Sequence, residues 1–303
     1  MAAIDADFPV QDVPAAAHGV AATVVVQTVS RWDETVDLLA TAVSPAGRDA
    51  RLAGVVGWAD LFAPDLAARL DALRAGPGGD RLVGIRTMVQ AEVDPAYLDR
   101  DDVRAGIATV AAAGLPFDLV VRHDQLAACA RLAAALPDAR FVLDHLGKPP
   151  IAAASPGPGT PGDPTALAAW RRDLAALAAR PNVVAKLSGL VTEARWDALG
   201  GRWSVADLRP AADHALEVFG PDRLMFGSDW PVCLLASGYG RWLDTCRELL
   251  APLGDADRAA VLAGTAARTY GLDVPAEAAA PADTLHDTTD TTDTAPVREE
   301  TRP

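Results

Sequence analysis

Lysine is almost missing from this chain. Lys148 and Lys186 are the only two, so arginine supplies nearly all of the 27 basic residues, which face 41 acidic ones. The net charge of −14 and a sequence pI near 4.7 exclude a phosphate-backbone partner, because such binding rests on clustered Lys and Arg. Cysteine is scarce as well. Cys129, Cys233 and Cys246 are odd in number and lack paired metal spacing, which argues against a disulfide framework and leaves them as small core residues. No uninterrupted apolar run reaches membrane-spanning length, and the opening MAAIDADFPV has neither the basic nor the apolar region of a secretory leader. These absences point to a cytoplasmic protein with no nucleic-acid and no membrane partner.

What is present is a regular alternation. Across 303 residues, half of them hydrophobic, short β-branched or apolar runs alternate with longer Ala/Leu patterns of helical period. The runs end at Gln27, Trp58, Thr87, His123, His145, Ser188 and Asp229. In TALAAWRRDLAALAAR, Leu167, Trp170, Leu174 and Leu177 share one face while Arg171, Arg172 and Asp173 fall off it. Asp124 is placed to cap the helix carrying Leu126 and Cys129, and Gly220 to stop the one ending in EVF. Strand and helix in strict alternation imply parallel pairing, because each crossover returns the chain to the same end of the sheet.

The spacing predicts one α/β domain over residues 1–273, with no linker at its middle, and a disordered Asp/Thr/Pro-rich acidic tail over 274–303. The Pro/Gly-rich stretch 149–164 reads as a loop on the strand-exit side. Seven strands are visible where a closed parallel barrel wants eight. FPVQDVPAAAHGV reads as a short helix ending at His18, placed ahead of the first clear strand. Two architectures fit: an open doubly wound sheet, or a (β/α)8 barrel lacking its opening strand, which is then expected upstream of Met1.

In parallel α/β folds the active site lies at the carboxyl ends of the strands. Those ends carry Gln27, Trp58 with Asp60, Arg86, Arg122 with His123, Asp144 with His145, Lys186 with Ser188, and Asp229. Charged residues are seldom buried without partners, so this ring on otherwise apolar strands favours a site. A bland reading competes at each position: Asp229 as a helix cap, His145 as a core histidine bonded to a carbonyl, Arg86 in an ion pair with Asp60, and Arg122 on a solvated loop.

Three of these segments carry a family resemblance. LDHLGKPP (residues 143–150), VVAKLSGLVTEA (183–194) and RLMFGSDWPV (223–232) resemble successive strand motifs of the amidohydrolase superfamily, in its lactonase-like amidohydrolase 2 branch. GTAARTYGL is similar to that branch's final helix, with Thr265 where Asn is more usual. The resemblance implies a TIM-like (β/α)8 barrel of the metal-dependent hydrolase type, covering residues 8–272. It departs at the front, because the family's usual first strand carries an H-x-H pair and no H-x-H occurs in this sequence; Asp7 stands where a first histidine would.

The resemblance further implies a hydrolase opening a sugar lactone or a lactone of aromatic catabolism. In that reading Asp229 is the general base toward water and His145 polarises the carbonyl or orients the water. Arg86, Lys186, Ser188 and Arg122 are candidates for holding the substrate, and Trp58 and Trp230 for walls. The leading expectation is that no cofactor is required; the alternative is one divalent ion such as zinc, with His145 and Asp229 as its ligands. A small-molecule substrate and a possible homo-oligomer complete the expected partners. The competing functions are a metal-dependent decarboxylase of the same superfamily and a non-catalytic remnant that only binds ligand.

Overall fold

The computed structural model describes residues 4–156, 161–163, 165–197 and 200–273. The acidic tail, and residues 157–160 and 164 of the Pro/Gly-rich loop, lie outside the described residues. The strands are β1 (Thr23–Val26), β2 (Leu52–Gly57), β3 (Leu82–Thr87), β4 (Phe117–Leu119), β5 (Phe141–Leu143), β6 (Val183–Leu187), β7 (Trp196–Asp197), β8 (Gly200–Gly201) and β9 (Leu224–Phe226). All but β7 and β8 form one seven-stranded parallel sheet in the order β1-β2-β3-β4-β5-β6-β9. Neighbours in space are therefore neighbours in sequence, with no reversal of strand order. That excludes the doubly wound alternative, which needs such a switch point, and leaves a curled, TIM-barrel-like sheet whose two edges are β1 and β9. The β7–β8 hairpin is antiparallel and was not anticipated from the sequence.

Alternation along the strands divides the sheet's two faces. One face, with Val55, Ile85, Phe117, Phe141, Val183 and Leu224, packs against the helices in the main core. The helix Ala168–Ala178 contributes Trp170, Leu174 and Leu177 to that core, as its period predicted. Val205–Phe219 opens with a capping box between Ser204 and Asp207 and stops at Gly220, whose φ is 70°. The short helix expected before β1 is present in 3-10 form, as Val10–Asp12 and Pro14–His18, the second ending at His18 as read. One local expectation needs correction. Ahead of Leu126–Ala135 the capping contact comes from Gln125, whose side-chain oxygen accepts from the Arg122 amide at 2.9 Å, and Asp124 sits within the preceding turn. Among the described residues no helix is long and apolar enough to cross a membrane.

The opposite, inward face carries Val56, Val142 and Met225, closed over by Tyr270 from the final helix. The same face carries four charges. Arg86 and Asp118 are direct partners across β3 and β4, Asp118 pairs with Val142, and Lys186 with Met225. Lys186 Nζ lies 2.7 Å from Asp118 Oδ2 and 2.6 Å from Asp144 Oδ1, and Arg86 Nη1 lies 2.8 Å from Asp144 Oδ2. Tyr270 donates its phenol proton to Asp118 at 2.6 Å. Arg86 also donates to the Gln27 carbonyl. Both carboxylates are wholly buried, a placement that water-free surroundings would forbid to an unpaired charge.

The ionisation of this layer follows from its contacts. Burial by itself raises the Asp144 carboxyl, but Lys186, Arg86 and His145 together outweigh it and hold Asp144 well below the usual carboxylate range. Burial pulls the Lys186 ammonium down, and the two carboxylates more than reverse that. Burial pushes the Tyr270 phenol far up, so it stays a donor.

Removing the shared cation would strand two buried carboxylates. Lys186→Met is expected to lower unfolding free energy by about 3–5 kcal/mol, read from urea denaturation of the purified variant; a loss under about 1 kcal/mol would show that the interior does not rely on this ion pair.

Candidate active site

Two turns at the sheet's carboxyl edge build the site, and both run through left-handed backbone. After β5 the chain passes through His145 (φ 54°), Leu146 (φ 49°), Gly147 (φ 67°) and Lys148 (φ 54°). After β9 it passes through Asp229 (φ 55°). Each non-glycine residue in this region costs on the order of 1–2 kcal/mol, so such turns persist only where their surroundings hold them. Those surroundings are visible. The buried indole of Trp170 donates to the Leu146 carbonyl at 2.8 Å, and that of Trp242 donates to the Gly227 carbonyl at 2.8 Å. Each functional turn is thus tied to an outer helix by one tryptophan N–H.

The strand ends also approach each other unusually closely. Gly189, just after β6, lies so near His145 that a Cβ there would stand 2.8 Å from its ring. At Gly227 a Cβ would stand 2.9 Å from that of Ser188. The outcome is a compact trio. His145 Nδ1 is 2.9 Å from Ser188 Oγ, and His145 Nε2 faces Asp229 Oδ1 at 3.6 Å. The latter distance exceeds a hydrogen bond and leaves both groups able to engage a third. Their side chains are each 14% exposed, reachable yet mostly dry. The helix-cap reading of Asp229 fails on geometry: Ser228 Oγ accepts from the Trp230 amide at 3.2 Å, while the Asp229 carboxylate turns toward His145.

The other predicted residues fall elsewhere. Arg86 and Lys186 lie beneath the trio, each held by buried carboxylates, and the partner of Arg86 is Asp144 rather than Asp60. Asp60 accepts from the Phe62 amide. Arg122 is exposed, bridged to Asp124 at 3.2 Å and bonded to the Gln90 carbonyl. Trp58 is half-buried beside β2, its backbone bonded to Thr35. Trp230 is half-buried next to Asp229, with the Phe8 ring edge-on at 5.5 Å. His214 and His18 serve structure, the one bonded to the Arg171 carbonyl and the other stacked on Tyr239. Asp118 and Tyr270 went unread, although an acid between Phe117 and Leu119 in an apolar run is itself a signal that a buried partner exists.

A metal at this edge would draw on His145 and Asp229. Among the described residues no group of three or more His, Cys, Asp and Glu is gathered to hold an ion, and a catalytic zinc ordinarily commands three protein ligands. The described donor set therefore falls short of a complete site.

The family model for amidohydrolases matches residues 2–272. The chain belongs to the amidohydrolase family. It is 42% identical over 275 residues to an L-fucono-1,5-lactonase of Burkholderia multivorans, covering 86% of this chain and 84% of that one. An L-fucono-1,5-lactonase of Burkholderia ambifaria is 36% identical over 279 residues, covering 90% and 88%. Among solved structures, an amidohydrolase from Burkholderia multivorans with bound zinc superposes with a TM-score of 0.76 at 41% identity, covering 85% of this chain and 86% of that one. A 5-carboxyvanillate decarboxylase at 17% identity, TM-score 0.55, shares the fold alone.

Two substitutions test how the turns are held. Trp242→Phe leaves the Gly227 carbonyl without its donor and is expected to cost about 1–3 kcal/mol of stability, measured by thermal and chemical unfolding. Gly189→Ala forces the imidazole off Ser188, so the His145 ring resonances should move in the NMR spectrum; unmoved resonances would show that the close approach is not what places the ring.

Proposed function

We propose that this amidohydrolase opens a sugar 1,5-lactone, with Asp229 as general base and His145 as the group that steadies the carbonyl oxygen. The observation that carries the reading is the facing of His145 Nε2 and Asp229 Oδ1 across 3.6 Å at the strand-exit edge, with Ser188 fixing the other ring nitrogen. The two lactonase relatives support the substrate class.

Asp229 takes a proton from water as its oxygen attacks the lactone carbonyl carbon, and the carbonyl π electrons move to oxygen. When the Ser188 hydroxyl donates to Nδ1, the imidazole proton resides on Nε2 and stabilises that oxyanion. Collapse of the intermediate breaks the bond to the ring oxygen. Asp229 returns its proton there, leaving a hydroxy acid and a regenerated carboxylate. Its near-dry setting strengthens each of these interactions.

The expectation that no cofactor is needed does not carry over as the preferred reading, since a close relative has been solved with zinc bound. A divalent ion is proposed for the intact chemistry of the family; in this chain His145 and Asp229 are the residues that would contribute to it. Arg86 and Lys186 support the site through Asp144, the neighbour of His145, rather than by holding substrate.

Asp229→Asn is expected to reduce kcat for L-fucono-1,5-lactone by about 10³-fold or more, followed with a pH indicator as acid is released. Turnover within threefold of the parent chain would remove Asp229 from the base role.

A further inference from the structure

Three polar side chains at the mouth take no part in the reaction as derived. Glu193 ends the single helical turn Leu190–Glu193 that follows Gly189. Lys148 closes the left-handed turn of His145, and His123 opens the turn after β4. All three are half-buried. Among the described residues none of these three side chains has a hydrogen bond or ion pair to another residue.

The segment that presents Glu193 is firmly built. Thr192 Oγ1 donates to the Gly189 carbonyl at 2.9 Å, and the Trp196 indole donates to the Thr192 carbonyl at 2.9 Å. Leu190, Val191 and Ala194 are buried around it, and the turn packs on Val232–Leu235, the segment just beyond Asp229. Glu193 is thereby fixed on the same side as the charges it senses. Burial pushes its carboxyl up, Lys148 and His123 oppose the rise, and Asp229 adds to it. A half-buried carboxylate, ammonium and imidazole with free hydrogen-bonding capacity, beside a hydrolytic pair, suit a ligand that carries several hydroxyls. A carboxylate accepts from two adjacent hydroxyls, an ammonium donates to their oxygens, and a neutral imidazole does one of each.

We propose that Glu193, flanked by Lys148 and His123, determines specificity by binding the ring hydroxyls of a polyhydroxylated lactone. The inference rests on the lactone reading of the same site and deepens it. A site built on such bonds discriminates sharply against an analogue lacking the hydroxyls, because its own polar groups are then left unpaired.

Two measurements on the full chain separate this inference from that reading. The first is binding of a 1,5-anhydroalditol of fuco configuration, which has the ring and its hydroxyls but no carbonyl to open, followed by ligand-observed NMR titration. The parent chain is expected to bind it, and Glu193→Leu and Lys148→Met each to weaken binding about ten- to hundredfold. Glu193→Gln, which keeps shape and one acceptor, should fall between. The second is the ratio of kcat/KM for L-fucono-1,5-lactone over hydroxyl-free δ-valerolactone, expected to drop about tenfold or more in Glu193→Leu. Equal losses on both lactones, unchanged anhydroalditol affinity in the variants, or no binding by the parent chain would overturn the assignment. A parent chain that binds the anhydroalditol yet opens neither lactone would sink the hydrolase reading while upholding Glu193 as the hydroxyl-binding group.

Discussion

Lys186 stands between two carboxylates that could not otherwise be buried, and the inward face of the sheet depends on that arrangement. With Arg86 on the far side of Asp144, two cations answer two anions. Neutrality alone is insufficient, since desolvating four charges costs several kcal/mol per ion. Short, convergent contacts from four strand segments and a phenol from the last helix offset it. This layer is the floor on which the mouth is built. Asp144 is held ionised next to His145, so the residue that anchors the floor is covalently joined to the one that faces Asp229.

Above the floor, position is controlled from outside the sheet. The left-handed turn at His145 and the one at Asp229 would relax if left alone, because L-residues prefer other backbone regions. Trp170 and Trp242 prevent this, each filling the helix–sheet core while giving its one polar hydrogen to a carbonyl in the strained segment. Packing and hydrogen bonding act here through a single side chain, so the hydrophobic core of the helices directly sets the separation of imidazole and carboxylate. Gly189 and Gly227 complete the effect by letting neighbouring strand ends close to contact.

Much of this was legible in the linear chain, for a definable reason. All seven strands of the main sheet were visible because buried parallel strands are short apolar runs between helical patterns. The facing of Asp229 and His145 was readable because each ends such a run, where the fold class puts chemistry. The ion pairing of Arg86 and Lys186 was not. Their strand-end positions resemble those of substrate ligands, and only the depth of Asp118 and Asp144 shows the cations paired below the mouth. Asp118 lay mid-run rather than at an end, and Tyr270 lies 152 residues away from it in sequence, a separation no local pattern spans. Glu193 escaped for the opposite reason: it looks like an ordinary helical surface acid.

The sequence by itself determined the alternation of strand and helix, the parallel pairing this requires, and the identity of the two residues that meet at the mouth, because each depends on local periodicity and on where an apolar run stops. Tertiary structure alone decided which charges are buried together, which carbonyls the tryptophans hold, and which polar groups remain unpaired. Those outcomes depend on side chains brought together from distant strands, and distance in space is not encoded by any spacing along the chain.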